Sequence, residues 1–234
     1  MSKFVLLSDI HGNAPALEAV VDREGLDATY IVLGDIHGLL AQPAETMNLL
    51  NEMNPKILLA GNHDKAMFHH NEGHVNSDAL SEFELEHTKS HLTPAQQGWL
   101  AHLPFMEVWQ EGQSRIAATH AFPWPEQASG YEPGNAGVVK GAVPQVASGV
   151  ADDYDYVFLG HTHTQYDLDA SRWSHDVHFV NPGSLGYSDE YSVVNTATGD
   201  VQHKSVEGAY DRDDVVTHIQ EHLPKGAPPV SKWL

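Results

Sequence analysis

The chain contains no cysteine, which excludes disulfide bonds, thiolate metal ligands and a cysteine nucleophile. It has no apolar run long enough to span a membrane, and its first residues lack the basic segment and apolar core of a signal peptide. We therefore expect a soluble protein without a membrane partner. The cytoplasm, a reducing compartment, is the expected location.

Basic residues are also scarce, since 12 lysines and arginines stand against 32 aspartates and glutamates and the formal net charge is −20. The electrostatic field of so negative a protein repels nucleic-acid backbones, which disfavours a nucleic-acid partner. Most of the excess acid, including the clusters at 152–155 and 211–214, is interpreted as solvated surface.

The acidic composition leads to a sharper hypothesis, adaptation to a high-salt cytoplasm in which counterions screen the self-repulsion. On this hypothesis we expect the melting temperature to rise between dilute buffer and molar salt. A melting temperature that is the same in both solutions would contradict it.

Length and composition predict one compact domain. The 234 residues are 41% hydrophobic, which is enough for a core, and no low-complexity linker divides them. We expect a single domain over residues 1–222 and a proline-rich tail over 223–234, which is either an extended strap or a frayed end.

The first part of the chain alternates strand and helix patterns. Residues 3–8, 30–33 and 56–60 are short apolar runs typical of buried parallel strands. Between them, apolar residues at helical spacing predict one helix after Asn13, a candidate N-cap, and another that ends before Pro55. This alternation implies a mostly parallel sheet, in which ligands gather beyond the carboxyl ends of the strands.

The second half is less regular but contains further strand patterns. Residues 115–119, 154–159 and 177–180 are apolar runs, and 191–194 with 201–206 form a predicted hairpin. The predicted fold class is therefore α/β, with two sheets and helices outside them.

Residues 65–104 are predicted to be a helical insertion. Ser77 and Thr93 are candidate N-caps of its helices. The second of these helices has a packing face of three apolar residues, Trp99, Leu100 and Leu103. Either the insertion overhangs a pocket and shapes substrate choice, or it only completes the core.

Five short motifs rich in acid, amide and histidine residues come at the ends of apolar runs. They are Asp9-Ile10-His11, Gly34-Asp35, Gly61-Asn62-His63-Asp64, His120 and Gly160-His161-Thr162-His163. Each motif alone is common by chance, but together they supply enough ligands for two metal ions that share one carboxylate. The joint pattern predicts a dinuclear metal site that hydrolyses a phosphate ester.

Asp35 is the predicted bridge, because each oxygen of a carboxylate can serve one ion. Asp9 and His11 lie two residues apart on one extended turn, so they can bind the first ion together with Asp35. The ligands expected for the second ion are Asn62, His120 and His161. His163 could reach back to the first ion. Oxygen and nitrogen ligands without sulfur suit manganese, iron, zinc or magnesium.

The residues that follow Asn62 are candidates for proton transfer. His63 adjoins a ligand and could neutralise charge on the phosphate or protonate the leaving oxygen. Asp64 could hold the His63 ring in one tautomer, so both residues are predicted to be catalytic. The alternative is that His63 is a structural histidine.

The motif set resembles the calcineurin-like metallophosphoesterase superfamily, in particular its small bacterial and archaeal phosphodiesterases. The segments that carry the resemblance are 8–13 (Ser-Asp-Ile-His-Gly-Asn), 61–64 (Gly-Asn-His-Asp), 160–163 (Gly-His-Thr-His) and 181–184 (Asn-Pro-Gly-Ser). It implies a four-layer αββα sandwich of two mixed sheets flanked by helices. It also implies two divalent metal ions held by the seven predicted ligands, with His63 catalytic. Manganese is the first expectation, and iron, zinc, magnesium and nickel are the alternatives.

Two departures from the superfamily pattern provide candidate substrate contacts. His37 stands where members often have an apolar stretch and a Gly-Pro, and it either lines the pocket or is a plain turn histidine. His120 is followed by Ala121-Phe122-Pro123-Trp124 where members usually have glycine. Phe122 or Trp124 could stack on a nucleobase or aryl group, or only pack in the wall of the pocket.

The charge of the predicted site favours a diester substrate. Phosphatase and dinucleoside tetraphosphatase branches usually carry arginines beside the second and third motifs, whereas the neighbours here are Leu39, Leu40 and Ala60. We therefore predict hydrolysis of a small phosphodiester by a metal-bridging hydroxide, with His63 as charge stabiliser or general acid. A phosphomonoesterase or dinucleoside polyphosphate hydrolase is the alternative. A non-catalytic protein-binding scaffold, similar to the small retromer subunit, is disfavoured because His63 and all seven ligands are present.

Overall fold

The computed structural model describes residues 3–38, 41–69, 79–121, 153–169, 177–225 and 230. Within these ranges the strands form two five-stranded sheets. In chain order the strands are β1 (Lys3–Leu7), β2 (Tyr30–Val32), β3 (Ile57–Leu58), β4 (Met106–Glu111), β5 (Ser114–Thr119), β6 (Tyr156–Leu159), β7 (Gln165–Asp169), β8 (His178–Pro182), β9 (Glu190–Asn195) and β10 (Asp200–Ser205).

Both sheets have a parallel centre and antiparallel edges. The strand order is β10-β9-β1-β2-β3 in the first sheet and β4-β5-β6-β8-β7 in the second. Strands β1, β2 and β3 are parallel, and so are β5, β6 and β8. The predicted motifs follow β1, β2, β3, β5 and β6, so they come at the carboxyl ends of parallel strands, where ligands are expected.

The helices of the described ranges, in chain order, are α1 (Ala14–Glu24), α2 (Pro43–Met53), α3 (Asn62–His69), α4 (Ala79–His91), α5 (Pro94–Ala101), α6 (Leu185–Ser188) and α7 (Arg212–His222). Two predicted N-caps are confirmed. The Asn13 side chain accepts a hydrogen bond from the Ala16 amide, and Thr93 forms a reciprocal capping box with Gln96. Ser77, the predicted cap of α4, lies outside the described residues.

Alternate residues of β1 face two different hydrophobic cores. Phe4 and Leu6 pack between the sheets, in a cluster that includes Phe158 of the second sheet. Val5 and Leu7 belong to the cluster that packs with α1 and α2. Each fully buried side chain of this size stabilises the fold by about 1.5–3 kcal/mol. The two mixed sheets with their flanking helices confirm the predicted α/β sandwich.

The helical insertion packs in the core and also reaches the predicted site. Leu85 of α4 and Leu100 of α5 are buried in the core cluster beside α1 and α2. Glu84 and Thr88, also on α4, line a small cavity together with His63. The insertion therefore completes the core and also forms a wall next to the predicted site.

The packing face of α5 is smaller than predicted. Leu100 and Leu103 are buried, but the Trp99 side chain is 42% exposed. The expectation for Trp99 is wrong because α5 packs through the side of the helix that carries Leu100.

Within the described ranges, the strand and helix patterns miss four elements: the edge strands β4 and β7, the short helix α6 and the helix α7. The acidic segment 211–214, interpreted above only as solvated surface, begins α7. Asp211 caps this helix by accepting hydrogen bonds from the Asp213 and Asp214 amides. Acidic side chains in a first turn also interact favourably with the helix dipole. Part of the negative charge is therefore structural.

One residue of the predicted tail is described. Val230 is buried in a cluster with Val215 and Ile219 of α7, which is the packing that an extended strap would have. No helix in the described part of the chain is long and apolar enough to cross a membrane.

Candidate metal centre

Strained turns hold the predicted ligands at the strand ends. In the described ranges seven non-glycine residues have a positive φ, and five of these are predicted metal ligands: Asp9, His11, Asp35, His161 and His163. A non-glycine residue in this region costs about 1–3 kcal/mol and persists only when its surroundings hold it. Here the Asp9 and His11 amides donate to the Gly34 and Asp35 carbonyls, each over 3.0 Å. Strain concentrated in this way is typical of a functional site.

Asp9, His11 and His163 form the first ligand group, with ligand atoms within 4.8 Å of one another. His163 Nε2 lies 3.0 Å from Asp9 Oδ1 and 3.4 Å from His11 Nε2. The other carboxylate oxygen, Asp9 Oδ2, accepts hydrogen bonds from the Ser8 hydroxyl and the His161 amide. These bonds orient Asp9 so that Oδ1 faces the two imidazoles.

Asp35, His120 and His161 form the second ligand group. Asn62 completes it, because its Oδ1 lies 3.0 Å from His120 Nε2 and 2.9 Å from His161 Nδ1. His120 Nδ1 is 2.9 Å from the Leu33 carbonyl, to which it donates its proton. This bond turns the His120 Nε2 towards the site, as in histidines that bind metals.

Asp35 lies between the two groups, since it also shares a cluster with His11 and His63. Its Oδ1 accepts the His63 amide at 2.8 Å, and its Oδ2 lies 3.3 Å from His120 Nε2. Burial alone would raise the pKa of Asp35, but His120 and His63 hold it well below its usual range. Burial opposes the charged form of His120 as well, yet Asp35 raises the pKa of this imidazole to about 9.

The donor set fits divalent metal ions. His11 Nδ1 and His161 Nε2 are buried polar atoms that have no hydrogen-bond partner among the described residues. Buried polar atoms without a partner need an explanation, and a bound metal ion would provide the missing partner. Burial and the nearby His63 lower the pKa of His11 to about 3, so its imidazole is neutral, as a ligand must be. The structure thus brings all seven predicted ligands together around Asp35.

Asp64 was predicted to hold the His63 ring in one tautomer, but its carboxylate contacts the backbone instead. Its carboxylate accepts hydrogen bonds from the amides of Gly61, Ile36 and His37 at 2.9–3.2 Å. Asp64 therefore ties the second motif loop to the third. Burial and the charge of Asp35 raise its pKa to about 6.

His63 is a solvent-exposed residue beside the two ligand groups. Its side chain is 42% exposed, and its Nε2 lies 4.0 Å from Asp35 Oδ2. The ring is therefore accessible from solvent while it remains next to the carboxylate on which both ligand groups meet.

Comparison with known proteins agrees with this geometry. Residues 2–204 match the calcineurin-like phosphoesterase superfamily domain. The chain belongs to this superfamily. It is 24% identical over 202 residues to an uncharacterized protein of Methanocaldococcus jannaschii, and the match covers 79% of this chain and 76% of the relative.

Two solved structures have a similar fold. A hypothetical protein from Pyrococcus horikoshii OT3 has a TM-score of 0.77 at 20% identity, with 96% of this chain and 95% of that chain covered. A metallophosphoesterase from Sphaerobacter thermophilus has a TM-score of 0.69 at 24% identity, with 95% of each chain covered.

The predicted substrate contacts are only partly within the described residues. His37 is 2% exposed, neither of its ring nitrogens has a hydrogen-bond partner in the described part of the chain, and it lines the small cavity that His63 also lines. Although it lies in the turn after β2, His37 therefore lines the cavity, as the first of the two alternatives for this residue expected. Phe122 and Trp124 lie outside the described residues.

Tyr187 is a site residue that the motifs do not reveal. Its ring centroid lies 4.9 Å from that of His11 and 4.7 Å from that of His163. Ser184 positions it, because the Ser184 hydroxyl donates to the Asp9 carbonyl and accepts the Tyr187 amide, each over 3.0 Å. The signal in the sequence was the turn at 181–184, whose last residue caps the helix α6 that carries Tyr187.

Proposed function

We propose that this phosphoesterase hydrolyses a small phosphodiester with the help of two divalent metal ions, of which manganese is the first candidate. The observation that carries the proposal is the meeting of two ligand groups at Asp35, with the exposed His63 ring beside them. Bound metal ions would supply Lewis acidity and an activated water at this point.

The side chains around the ions have separate tasks in this proposal. Asp9 and Asp35 supply buried negative charge, since the pKa of each carboxyl is held below its ordinary value despite burial. His63 is the accessible group that would protonate the leaving oxygen or balance charge on the phosphate. Tyr187 packs against His11 and His163 and so fixes the orientation of both rings.

The positions of the arginines support a diester. In the described ranges the arginines have other partners: Arg23 binds the Ser205 carbonyl, Arg115 pairs with Asp153, and Arg212 pairs with Asp189. A phosphomonoester carries an additional negative charge, which enzymes commonly bind through bidentate arginine contacts. A diester has less need of such a contact.

The proposal is tested by metal removal. Chelator-treated protein should be inactive, and added Mn²⁺ should restore hydrolysis of bis-p-nitrophenyl phosphate with a higher kcat/KM than that of p-nitrophenyl phosphate. Turnover of the monoester alone would replace the diester assignment. A folded, metal-loaded protein that hydrolyses neither ester would contradict the proposed activity.

The same assay tests the role of His63. His63→Ala should lower kcat for the diester by about 10²–10⁴-fold, the range for loss of a general acid, while the metal content is unchanged. His102→Ala is the matched control, because His102 is an exposed histidine outside the ligand groups, and it should hydrolyse the diester like the unmodified protein. Unchanged turnover in His63→Ala would show that this residue is not catalytic.

A further inference from the structure

The Tyr187 hydroxyl has no hydrogen-bond partner within the part of the chain that the structure describes. The hydrogen bonds that Tyr187 forms there use its backbone amide and carbonyl. Other tyrosine hydroxyls donate to protein acceptors, as those of Tyr30, Tyr191 and Tyr210 do. Tyr187 is only half-buried, so its side chain can be reached from solvent. Because tyrosine hydroxyls in such surroundings usually find a partner, this one is available to a ligand.

Ring contacts place Tyr187 beside the candidate metal centre. Its ring stacks on that of His163, with an interplanar angle of 30° and 4.7 Å between the centroids. It meets the His11 ring edge to face, at 86° and 4.9 Å. The His63 ring also meets His11 edge to face, with the centroids 5.0 Å apart. Tyr187 and His63 therefore border the same imidazole of the first ligand group.

The charges around the Tyr187 phenol indicate where its hydroxyl lies. Burial raises the pKa of the phenol to about 13, and the carboxylate that raises it most is that of Glu84. Asp35 and Asp9 raise this pKa as well. Glu84 belongs to α4 and lines the cavity beside His63, whereas the two aspartates are predicted metal ligands. Since the effect of a charge decreases with distance, the hydroxyl lies between the wall formed by α4 and the metal centre.

Helix α6 holds Tyr187 in place before any ligand arrives. Gly186 packs against the first motif loop so closely that an added Cβ would lie 2.6 Å from the Ile10 carbonyl oxygen. Arg212 donates to the Tyr187 carbonyl, and its Nη1 lies 2.7 Å from Asp189 Oδ2. A donor that is fixed in advance loses little conformational entropy on binding.

We propose that Tyr187 is a substrate-binding residue whose hydroxyl donates a hydrogen bond to a non-bridging phosphoryl oxygen of the ester. This inference rests on the proposed phosphodiester hydrolysis and adds a residue that selects the substrate. A phenol hydroxyl donates without adding positive charge, and the nearby Glu84 carboxylate repels a dianionic monoester more strongly than a monoanionic diester. A neutral donor beside a carboxylate therefore favours the diester.

The test is Tyr187→Phe, which removes the hydroxyl and keeps the ring that packs against His11 and His163. In manganese-loaded protein we expect kcat/KM for bis-p-nitrophenyl phosphate to fall by about 10–100-fold, the range for loss of a hydrogen bond to a charged group. The manganese content and the melting temperature should be unchanged, because the ring contacts remain.

Tyr154→Phe is the matched control. The Tyr154 ring lies 5.1 Å from the Arg115 guanidinium carbon, and this residue precedes β6, whereas the fifth motif follows the other end of that strand. The substitution again removes one hydroxyl and keeps a ring contact. We expect kcat/KM, manganese content and melting temperature like those of the unmodified protein.

Calorimetric titration with inorganic phosphate measures the same contact without turnover. The dissociation constant of phosphate from manganese-loaded Tyr187→Phe should be about 10-fold or more above that of the control variant. Equal phosphate affinities in the two variants would overturn the proposal, and so would loss of manganese from Tyr187→Phe, since the hydroxyl would then act on the metal centre. If the unmodified protein hydrolysed no ester, the proposed function would fail, whereas the phosphate affinities would still decide the role of Tyr187.

Discussion

Asp35→Asn is expected to abolish metal-dependent hydrolysis, because both ligand groups lose the carboxylate that lies between them. In the unmodified protein the His63 amide nitrogen lies 2.8 Å from Asp35 Oδ1, and His120 Nε2 lies 3.3 Å from Asp35 Oδ2. The asparagine keeps an oxygen for the His63 amide but places an amide group in front of His120. Loss of a residue that only positions a ligand costs about 10–100-fold, so loss of the shared carboxylate should lower turnover by roughly 10³-fold or more. Metal analysis should find fewer ions per chain than in the unmodified protein.

Asp167→Asn is the matched control for this substitution. Asp167 also faces a histidine, since its Oδ1 lies 3.4 Å from His178 Nδ1, but this pair is partly exposed on the surface. We expect unchanged metal content and turnover, because exposed ion pairs contribute about 0–1 kcal/mol and this one lies outside the ligand groups. An Asp35→Asn protein that kept its metal and its activity would show that Asp35 is not the shared ligand.

Gly61→Ala is expected to damage both stability and activity by adding one methyl group. A Cβ on Gly61 would lie 2.0 Å from Asp35 Oδ1 and 2.3 Å from the Asp35 backbone nitrogen. The backbone contact cannot be relieved by a side-chain rotation, so the loop that carries Asp35 has to move. Overpacking of this kind costs about 1–3 kcal/mol, and a displacement of about 1 Å at a site can lower turnover by about 10²-fold.

Gly98→Ala separates the steric effect from the general effect of replacing glycine. Gly98 lies in α5, and a Cβ there would meet nothing within 4 Å. The free energy of unfolding of this variant should rise by about 0.5–1 kcal/mol, because alanine loses less backbone entropy than glycine when a helix folds. Thermal melting and diester turnover of the two variants provide the comparison. If the melting temperature and diester turnover of Gly61→Ala equalled those of Gly98→Ala, the close packing of the motif loops would have no functional importance.

The agreement between sequence and structure is greatest at the strand ends. Short apolar runs predicted β1, β2, β5 and β6, and each is followed by a motif. Parallel pairing places the carboxyl ends of such strands at one edge of a sheet, so motifs far apart in the chain could be expected to meet. His11 and His163, 152 residues apart, have their Nε2 atoms 3.4 Å from each other.

The elements that the sequence did not reveal depend on neighbours that are distant in the chain. The edge strands β4 and β7 are only partly buried and lack a continuous apolar run, so their pairing with β5 and β8 identifies them only in the folded protein. Helix α7 begins in a cluster of acidic residues that also suits an exposed loop. Its burial of Val215 and Ile219 becomes visible only once Val230 and Phe83 pack against it.

The sequence by itself determined which chemical groups this protein has and the order in which strand ends present them, because apolar periodicity and turn residues are local properties of the chain. Tertiary structure alone decided what each group touches. It directed the Asp64 carboxylate to backbone amides and not to His63, placed Tyr187 against two imidazoles, and buried His37 in the wall of the pocket. These contacts depend on hydrogen-bond geometry and close packing between segments that no local pattern relates, and such forces act over only a few ångströms.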